Sequence, residues 1–576
     1  MARDQTSRND PNGRPGGYSG GHSGVPGREE LLFLPLGGSG EIGMNLNLYG
    51  HAGRWLMVDL GVTFNRDDGP PGIELIMPDP TFIAERSDKL VGLVLTHAHE
   101  DHIGAVPYLW PRLRCPVYAT PFTAAVLRKK LAQANLLGQV PLTEIPLSGK
   151  LSLPPFEIEL ITITHSIPEP NCVVVRTPLG AVLHTGDWKI DPTPLLGDVT
   201  DEDALRRLGE EGVLACICDS TNALVDGHSG SEASVREALM RVVAGRRGKV
   251  AVTCFASNVA RVETLFRVAQ AHDRHVVLVG RSLHRMVEAA RETGYLADVP
   301  PFVTEDESGY LPRENQLLVC TGSQGEPRAA LARIAAGDHR NVSLEQGDTV
   351  IFSSRMIPGN EASILKVQNG LLRRGVKIVT DRDAPVHVSG HPARDELVAM
   401  YQWIRPRIAI PVHGERMHMT AHAELARECQ VPETVVIENG SMVRLAPGPA
   451  TVVDHVQAGR LALDGHRLIP QGGTHWRERN KVAHNGSAVA TLVLDRKGRL
   501  TTSPLLSVHG VLDPEGDAEL RAAAVQAIAE AIESLPPDVR LRDDEVVREA
   551  ARVAVRRAIH AQSGKKPMTA VHLCRV

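Results

Sequence analysis

The chain has 576 residues, which is too long for a single hydrophobic core and predicts about three domains of roughly 150 residues each. Hydrophobic residues make up 42% of the sequence and charged residues 23%, as in an ordinary globular protein. The formal net charge of −5 argues against a protein that holds nucleic acid by its bulk charge, although it is compatible with an enzyme that has a local basic channel.

The sequence also bears on location. No uninterrupted apolar run reaches the ~18 residues that a membrane-spanning helix needs. The first residues lead into a polar stretch that lacks the apolar central region of a secretory signal. We therefore expect a cytoplasmic protein with no membrane partner.

The amino-terminal half is predicted to be a tail followed by an α/β domain. Residues 1–28 are rich in Gly, Ser, Pro, Asn and Arg and are predicted to be a disordered tail. From residue 29 to residue 221, short apolar runs separated by Gly, Asn and Asp predict strands with helices between them. The predicted strands are residues 31–36, 45–49, 55–60, 91–95, 156–164 and 181–185, and residues 123–134 are a predicted helix.

A second α/β rhythm covers residues 222–384. Its predicted strands are residues 249–254, 275–279, 316–321, 349–353 and 377–380, with helices at residues 259–271, 282–293 and 361–374. This alternation is typical of βαβ units and indicates a separate domain. Because residues 385–450 again contain ligand-like side chains, the second domain is predicted to be an insertion into the first.

The remainder of the chain is predicted to form a connecting segment and a small third domain. Residues 451–473 are expected to be a linker with a small amount of strand structure. Residues 474–576 are predicted to be a small α/β domain that is long enough to bury its own core. Its predicted strands are residues 487–495, 504–511 and 568–574, and its helices are residues 517–534 and 544–562.

Four potential metal ligands lie within the six residues His97-Ala98-His99-Glu100-Asp101-His102. They follow the predicted buried strand 91–95, so a rigid strand end would hold them. Imidazole and carboxylate together suit zinc or manganese better than calcium, which prefers oxygen ligands alone. The segment predicts a metal-dependent hydrolase, and a two-metal hydrolase is the first hypothesis.

Other strand ends carry further candidate ligands. His165 follows residues 156–164, Asp187 follows residues 181–185, and His413 follows the apolar residues 407–410. Any one of them alone is more commonly a surface residue, a satisfied core residue or a helix cap. Their joint occurrence at strand ends predicts one dinuclear metal site.

These residues carry a family resemblance. Asp59, the segment from His97 to His102, His165 and Asp187 resemble, in order, the ligand motifs of the metallo-β-lactamase superfamily, and Asp219, His391 and His413 resemble the three extra motifs of its β-CASP nucleases. Within that branch, residues 37–45 (GGSGEIGMN), 280–282 (GRS), 321–327 (TGSQGEP) and 353–361 (SSRMIPGNE) are similar to segments of the ribonuclease J family.

The resemblance implies a fold and an activity. The fold is a metallo-β-lactamase αββα sandwich, built from residues 29–221 and 385–450, with an inserted α/β β-CASP domain and a small C-terminal α/β domain. The activity is metal-dependent hydrolysis of RNA phosphodiester bonds by a 5′-to-3′ exonuclease that prefers 5′-monophosphate ends and also cuts internally. The implied roles are RNA maturation and mRNA decay, and the implied partners are single-stranded RNA with a 5′-monophosphate, a second copy in a homodimer, and other RNA-decay proteins.

The resemblance also assigns roles at the metal site. One ion is held by His97, His99 and His165, and a second by Asp101, His102 and His413, with Asp187 bridging them. Each subunit would therefore bind two divalent ions, with zinc as the first choice and manganese as the alternative. Asp59 would orient a ligand histidine.

The catalytic and substrate-binding candidates lie beside those ligands. The candidate catalytic residues are Asp101, Asp219 and His391. His391 is expected either to protonate the leaving 3′ oxygen or to bind the scissile phosphate, oriented by Asp219. The candidate 5′-monophosphate pocket consists of Arg281, Ser282, Ser323, His387, Ser389 and His391, which offer hydroxyls and backbone N–H groups.

Three other functions remain open from the sequence. A DNA-directed β-CASP nuclease would share both the metal site and the inserted domain. A small-molecule metallohydrolase of the lactamase or glyoxalase kind would share the His97 segment but does not need residues 222–384 or the motif around His391. A non-catalytic scaffold is disfavoured because every expected ligand is present.

Overall fold

The structure is a computed structural model that describes residues 24–65, 69–513 and 517–576. The predicted tail spans residues 1–28, and residues 1–23 of it lie outside the described residues. The described chain forms two compact units. The first comprises the residues up to Thr63 together with Met77–Gly459, and the second comprises Phe64–Ile76 together with Arg460–Val576. No helix in the described ranges is both long enough and apolar enough to cross a membrane.

Helices are interspersed among the strands up to residue 221, as the apolar runs predict. The strands are β1 (Leu31–Gly37), β2 (Leu46–His51), β3 (Arg54–Val58), β4 (Thr63–Phe64), β5 (Leu75–Pro78), β6 (Leu90–Val94), β7 (Val117–Ala119), β8 (Leu142–Glu144), β9 (Lys150–Leu153), β10 (Phe156–Thr162), β11 (Asn171–Thr177), β12 (Gly180–His184) and β13 (Val213–Asp219). The helices are α1 (Thr81–Ala84), α2 (Glu100–Ile103), α3 (Val106–Leu113), α4 (Pro121–Gln133) and α5 (Glu202–Glu211). The predicted strand 91–95 is confirmed as β6, and the predicted helix 123–134 as α4.

In the rest of the first unit, strands and helices alternate as far as residue 434. Residues 222–384 contain α6 (Glu232–Val243), β14 (Val250–Thr253), α7 (Val259–Ala271), β15 (His275–Val279), α8 (Arg281–Glu292), β16 (Gln316–Cys320), α9 (Ala330–Ala336), β17 (Thr349–Phe352), α10 (Glu361–Arg373) and β18 (Lys377–Val379). They are followed by α11 (Arg394–Ile404), β19 (Ile408–Val412), α12 (Arg416–Glu428), β20 (Glu433–Thr434), β21 (Ser441–Ala446) and β22 (Thr451–His455).

Two large sheets of the first unit pack face to face. Their strand orders are β22-β21-β1-β2-β3-β6-β7-β8 and β20-β19-β13-β12-β11-β10-β9. Phe33 and Val58 of the first sheet share one buried core with Val173 and Ile217 of the second. Helices α5, α11 and α12 contribute to a further core on the other face of the second sheet, while α4 contacts β7 and β8 of the first. The αββα sandwich expected from the resemblance is confirmed.

Residues 222–384 form a separate parallel sheet with the order β15-β16-β14-β17-β18. Parallel neighbours cannot be joined by a tight turn, so the chain returns through helices between successive strands. Val277 and Leu318 of this sheet pack against Leu331 of α9 and Ile364 of α10. The inserted α/β domain is confirmed, whereas its boundaries at residues 222 and 384 stay a prediction.

The second unit contains the predicted small α/β domain. Its elements after residue 459 are β23 (Arg460–Asp464), β24 (Arg467–Pro470), α13 (Thr474–Asn485), β25 (Ser487–Leu494), β26 (Leu505–His509), α14 (Ala518–Glu533), α15 (Pro537–Arg542), α16 (Asp544–Ser563) and β27 (Met568–Arg575). The sheet β26-β25-β27 shares a core with α14 and α16. The hairpin β23–β24 joins β5 and β4 in a four-stranded sheet, so the segment expected to be a linker contains paired strands.

The sandwich delivers the candidate ligands to one edge. Strands β12, β13 and β19 are parallel neighbours, so their carboxyl ends meet at the same edge of the second sheet. Asp219 is the last residue of β13, His413 comes directly after β19, and Asp187 lies just beyond β12. Strand β10 runs in the same direction as β12, because both are antiparallel to β11, and His165 lies just beyond its end. The fold thus explains how residues hundreds of positions apart reach one site.

Candidate active site

The structure brings the seven predicted ligand residues together in two overlapping groups. In each group, the potential ligand atoms all lie within 4.8 Å of one another. The first group is His97, His99, His165 and Asp187, and the second is Asp101, His102, Asp187 and His413. Asp187 belongs to both groups, which is the position expected for a bridging ligand.

Distances within the two groups are short. His99 Nδ1 lies 3.0 Å from His97 Nε2 and 3.1 Å from His165 Nε2. Asp187 Oδ2 lies 3.2 Å from His102 Nε2, and Asp101 Oδ2 lies 3.2 Å from His413 Nε2. Three imidazoles converging on one point, beside a second cluster of imidazole and carboxylate, form a donor set that fits divalent metal ions such as zinc or manganese.

The protonation of these groups supports that fit. Burial lowers the pKa of His97 and His165, and it lowers that of His99 to about 4, so all three are neutral and can offer a nitrogen lone pair. Burial also lowers the pKa of His102 and His413, but neighbouring carboxylates, Asp187 first among them, outweigh it and raise both pKa values. In the second group, protonated His102 and His413 therefore balance the negative charge of the carboxylates. A bound cation would balance the same charge.

Asp59 holds His102 from behind, as predicted. Its Oδ2 lies 2.7 Å from His102 Nδ1, and its two oxygens accept hydrogen bonds from the Thr96 backbone N–H and hydroxyl at 2.8 Å. Asp59 is fully buried and has a φ of 63°, in the left-handed region that non-glycine residues rarely adopt. Such backbone persists only where the surroundings fix it, and here it aims the carboxylate at His102.

Replacing Asp59 with asparagine should weaken metal binding. The amide nitrogen of asparagine would place N–H donors against His102 and Thr96, which themselves donate to Asp59. His102 would therefore lose its fixed orientation. We expect about 10- to 100-fold lower affinity at the group that contains His102, measured by competition with a chelator of known affinity. Asp88→Asn is a matched control, because the Asp88 side chain is 70% exposed. Equal affinities of the two variants would refute the orienting role of Asp59.

Three contacts at the site involve residues whose roles the sequence analysis did not predict. The Thr221 hydroxyl lies 2.9 Å from His413 Nδ1 and donates to Asp219 Oδ1 at 2.7 Å. The Gly390 carbonyl oxygen lies 2.5 Å from His165 Nδ1, and a Cβ at Gly390 would approach the ring to 2.7 Å. Thr221 was visible as part of the segment around Asp219, whereas a backbone carbonyl leaves no trace in residue identities.

His391 and Asp219 lie beside the two groups of potential metal ligands. His391 Nδ1 donates to Asp219 Oδ2 at 2.8 Å and lies 3.8 Å from Asp187 Oδ2. Burial lowers the pKa of His391, but Asp219 and Asp187 outweigh it and raise the pKa above its usual value. A protonated imidazole whose Nδ1 faces a carboxylate leaves Nε2 free to donate a proton, which fits the predicted pairing.

The six candidate phosphate-pocket residues fall into two sets. The first set, His387, Ser389 and His391, lies near the potential metal ligands. Ser389 Oγ accepts hydrogen bonds from Asn222 Nδ2 at 2.7 Å and from the His391 N–H at 3.2 Å. His387 Nδ1 is buried and has no hydrogen-bond partner in the part of the chain that the structure describes. Burial, reinforced by Arg261, lowers the pKa of His387 to about 3.

The second set lies at the carboxyl edge of the inserted sheet. Arg281 and Ser282 begin α8 after β15, and Ser323 follows the neighbouring strand β16. Arg281 is exposed, whereas Ser323 is buried. Gly280 has a φ of 128°, and a Cβ there would lie 2.5 Å from the Thr321 hydroxyl, so the close approach of the two loops requires glycine. Within the described residues, no hydrogen bond or ion pair joins this set to His387, Ser389 or His391.

Four family models match successive parts of the chain. Residues 44–247 match the metallo-β-lactamase superfamily, and residues 247–371 match the β-CASP domain of ribonuclease J. Residues 376–436 match a Zn-dependent metallo-hydrolase RNA specificity domain, and residues 475–576 match the ribonuclease J C-terminal domain.

Similar proteins cover nearly the whole chain. A ribonuclease J of Sinorhizobium meliloti is 47% identical over 556 residues, covering 95% of this chain and 98% of the relative. A ribonuclease J of Mycolicibacterium smegmatis is 39% identical over 543 residues, covering 93% and 96%. A crystal structure of a protein of unknown function from Enterococcus faecalis matches 72% of this chain and 100% of its own with a TM-score of 0.50; at 14% identity it shows a shared fold alone.

Proposed function

The chain belongs to the ribonuclease J family and is a metal-dependent ribonuclease, and from that premise we propose that it degrades RNA from the 5′ end, with additional internal cuts. The observation that carries the proposal is the convergence of the two ligand groups with the His391–Asp219 pair. An acid beside a dinuclear centre suits cleavage of a phosphodiester, whose leaving oxygen needs a proton.

We propose that the centre holds two divalent ions. His97, His99 and His165 would hold one ion, Asp101, His102 and His413 would hold the other, and Asp187 would contact both. The ions would supply Lewis acidity to water and to the phosphate oxygens. Elemental analysis of the purified protein would count them. Restoring zinc or manganese to the chelated protein would then show which metal supports RNA cleavage.

The residues around the ions would divide the remaining work. Water gives up a proton to the solvent as its oxygen adds to phosphorus and the bond from phosphorus to the 3′ oxygen breaks. His391 Nε2 gives its proton to the 3′ oxygen and later takes one back from the solvent. Asp219 keeps the ring oriented through Nδ1. Breaking the bond to the 3′ oxygen leaves the phosphate on the downstream nucleotide. Each cut therefore produces a new 5′-monophosphate end, which is the end that the next cycle would bind.

RNA with a 5′-monophosphate should be degraded faster than the same RNA with a 5′-triphosphate. Ser389 and His387 lie at and near His391 in a partly buried segment. We propose that the pocket formed there accepts one phosphate and excludes two more. We expect about a tenfold or larger difference in initial rate, because a buried site rejects unpaired charge. The measurement compares two 3′-labelled RNAs of the same sequence, one with a 5′-monophosphate and one with a 5′-triphosphate. Equal rates would contradict the proposed pocket, and a 5′-hydroxyl RNA separates a need for charge from steric exclusion.

Matched RNA and DNA oligonucleotides would test the nucleic acid class. We expect cleavage of the RNA, and product mapping with 5′ and 3′ labels would separate terminal from internal cuts. From the family we further propose a cytoplasmic homodimer that works with other RNA-decay proteins. Light scattering of the purified protein would measure the oligomeric state.

A further inference from the structure

The loop that follows β10 carries His165 and ends at a strained glutamate. Glu169 is buried, with 6% of its surface exposed, and has a φ of 57°. It lies between Pro168 and Pro170, four residues after His165. A buried carboxylate on left-handed backbone persists only if its partners fix it.

The partners of Glu169 tie this loop to the rest of the sandwich. Its Oε2 accepts a hydrogen bond from the Phe122 backbone N–H at 2.7 Å, at the start of α4. Its carbonyl oxygen accepts one from Asn171 Nδ2 at 2.7 Å, and the Asn171 N–H donates to the Thr96 carbonyl at 3.2 Å. Thr96 directly precedes His97. The position of Glu169 is therefore coupled to two of the candidate metal ligands.

The other oxygen of Glu169 faces the inserted domain. Tyr295 Oη donates to Glu169 Oε1 at 3.3 Å, and the Tyr295 ring packs edge-on against Phe122 with ring centroids 6.1 Å apart. Burial and the neighbouring carboxylate raise the pKa of Tyr295, so the phenol keeps the proton that it donates. This contact joins the two domains within the first unit.

Tyr295 lies just after the carboxyl end of α8, whose first residues are Arg281 and Ser282. Along its length, α8 contacts α4 through exposed polar pairs, Lys129 with Glu292 at 2.6 Å and Arg285 with Gln133 at 2.9 Å. Exposed pairs of this kind are weak and screened by salt. The partly buried Tyr295 hydrogen bond is the contact that can set the position of α8 precisely.

We propose that Tyr295 is a positioning residue for RNA cleavage: by donating to Glu169, it holds α8 and its RNA-contacting first turn in register with the loop that carries His165. The inference rests on the proposed function, because it takes Arg281 and Ser282 as contacts of the bound RNA. An RNA strand bound by α8 must reach the metal centre with its scissile phosphate in place. Small displacements of a reacting group reduce rates steeply.

The test compares Tyr295→Phe with Tyr310→Phe. Tyr295→Phe keeps the ring against Phe122 and removes only the donor, whereas Tyr310 is 91% exposed in the same domain and serves as the matched control. We expect Tyr295→Phe to lower kcat on RNA about tenfold, with KM within about twofold and metal content unchanged. We also expect faster hydrogen exchange in peptides covering residues 165–171. Tyr310→Phe should alter none of these.

A double variant shows whether the effect passes through Glu169. Tyr295→Phe combined with Glu169→Gln should be no slower than Glu169→Gln alone, since both remove one interaction. Additive losses, unchanged kcat and exchange, or a fall in kcat that follows a loss of metal would each overturn the proposal. If the unaltered protein fails to cut RNA, the proposed function fails, and the exchange experiment still decides whether Tyr295 controls the His165 loop.

Discussion

Replacing Asp187 with asparagine should abolish RNA cleavage, with a loss in kcat on the order of 10³-fold or more. Asp187 Oδ2 lies 3.2 Å from His102 Nε2 and 3.9 Å from His165 Nε2, and Asp187 is the shared member of both ligand groups. Asparagine has nearly the same shape but lacks the charge, and its amide nitrogen cannot bind a cation. Bound metal should therefore fall together with activity, as elemental analysis would measure.

The control for this experiment lies in the same loop region. Asp198 is exposed, so Asp198→Asn removes one carboxylate without touching the ligand groups. We expect that variant to keep its metal and its activity. An Asp187→Asn protein that retains both ions and cleaves RNA normally would show that the two groups do not share this ligand, and the dinuclear arrangement would have to be abandoned.

The ligand groups could be predicted from the sequence because their positions follow a local rule. A polar residue just beyond an apolar strand stands at an edge of the sheet, and strands with parallel carboxyl ends share that edge. His165, Asp187 and His413 each fit this rule, and the His97 segment supplied the remaining ligands. Family resemblance then divided the ligands between two ions, which spacing alone leaves undecided.

Other features depend on packing between distant segments and leave no comparable signal. The contact of the Gly390 carbonyl with His165 uses a backbone atom, which every residue type possesses. The hydrogen bond between Tyr295 and Glu169 depends on how the inserted domain sits on the sandwich. Residues 451–473 were expected to be a linker because Gly and Pro interrupt their apolar runs, yet β22 pairs with β21, and β23 pairs with both β24 and β5.

Replacing His391 with alanine should lower RNA cleavage by about 10²- to 10⁴-fold, which is the usual range for loss of a general acid. His391 is not among the seven proposed metal ligands, although it forms a third group of potential ligands with Asp187, Asp219 and His413. We expect metal content to stay at the level of the unaltered protein, and a fall would instead make His391 a ligand. Asp219→Asn should have a smaller effect, because the imidazole remains and only its orienting carboxylate is lost. Rates under single-turnover conditions would measure both losses.

A modified substrate separates the two roles that the sequence leaves open for His391. In RNA with a bridging 3′ sulfur at the scissile position, the leaving thiolate needs no proton, because thiols are far more acidic than alcohols. If His391 is the acid, the alanine variant should cleave this linkage within about tenfold of the unaltered protein. If His391 instead binds the scissile phosphate, the variant should be equally impaired on the oxygen and sulfur linkages, because the charge that it contacts is the same in both. A deficit that persists on the sulfur linkage would therefore remove His391 from the proton-transfer step and assign it to phosphate binding.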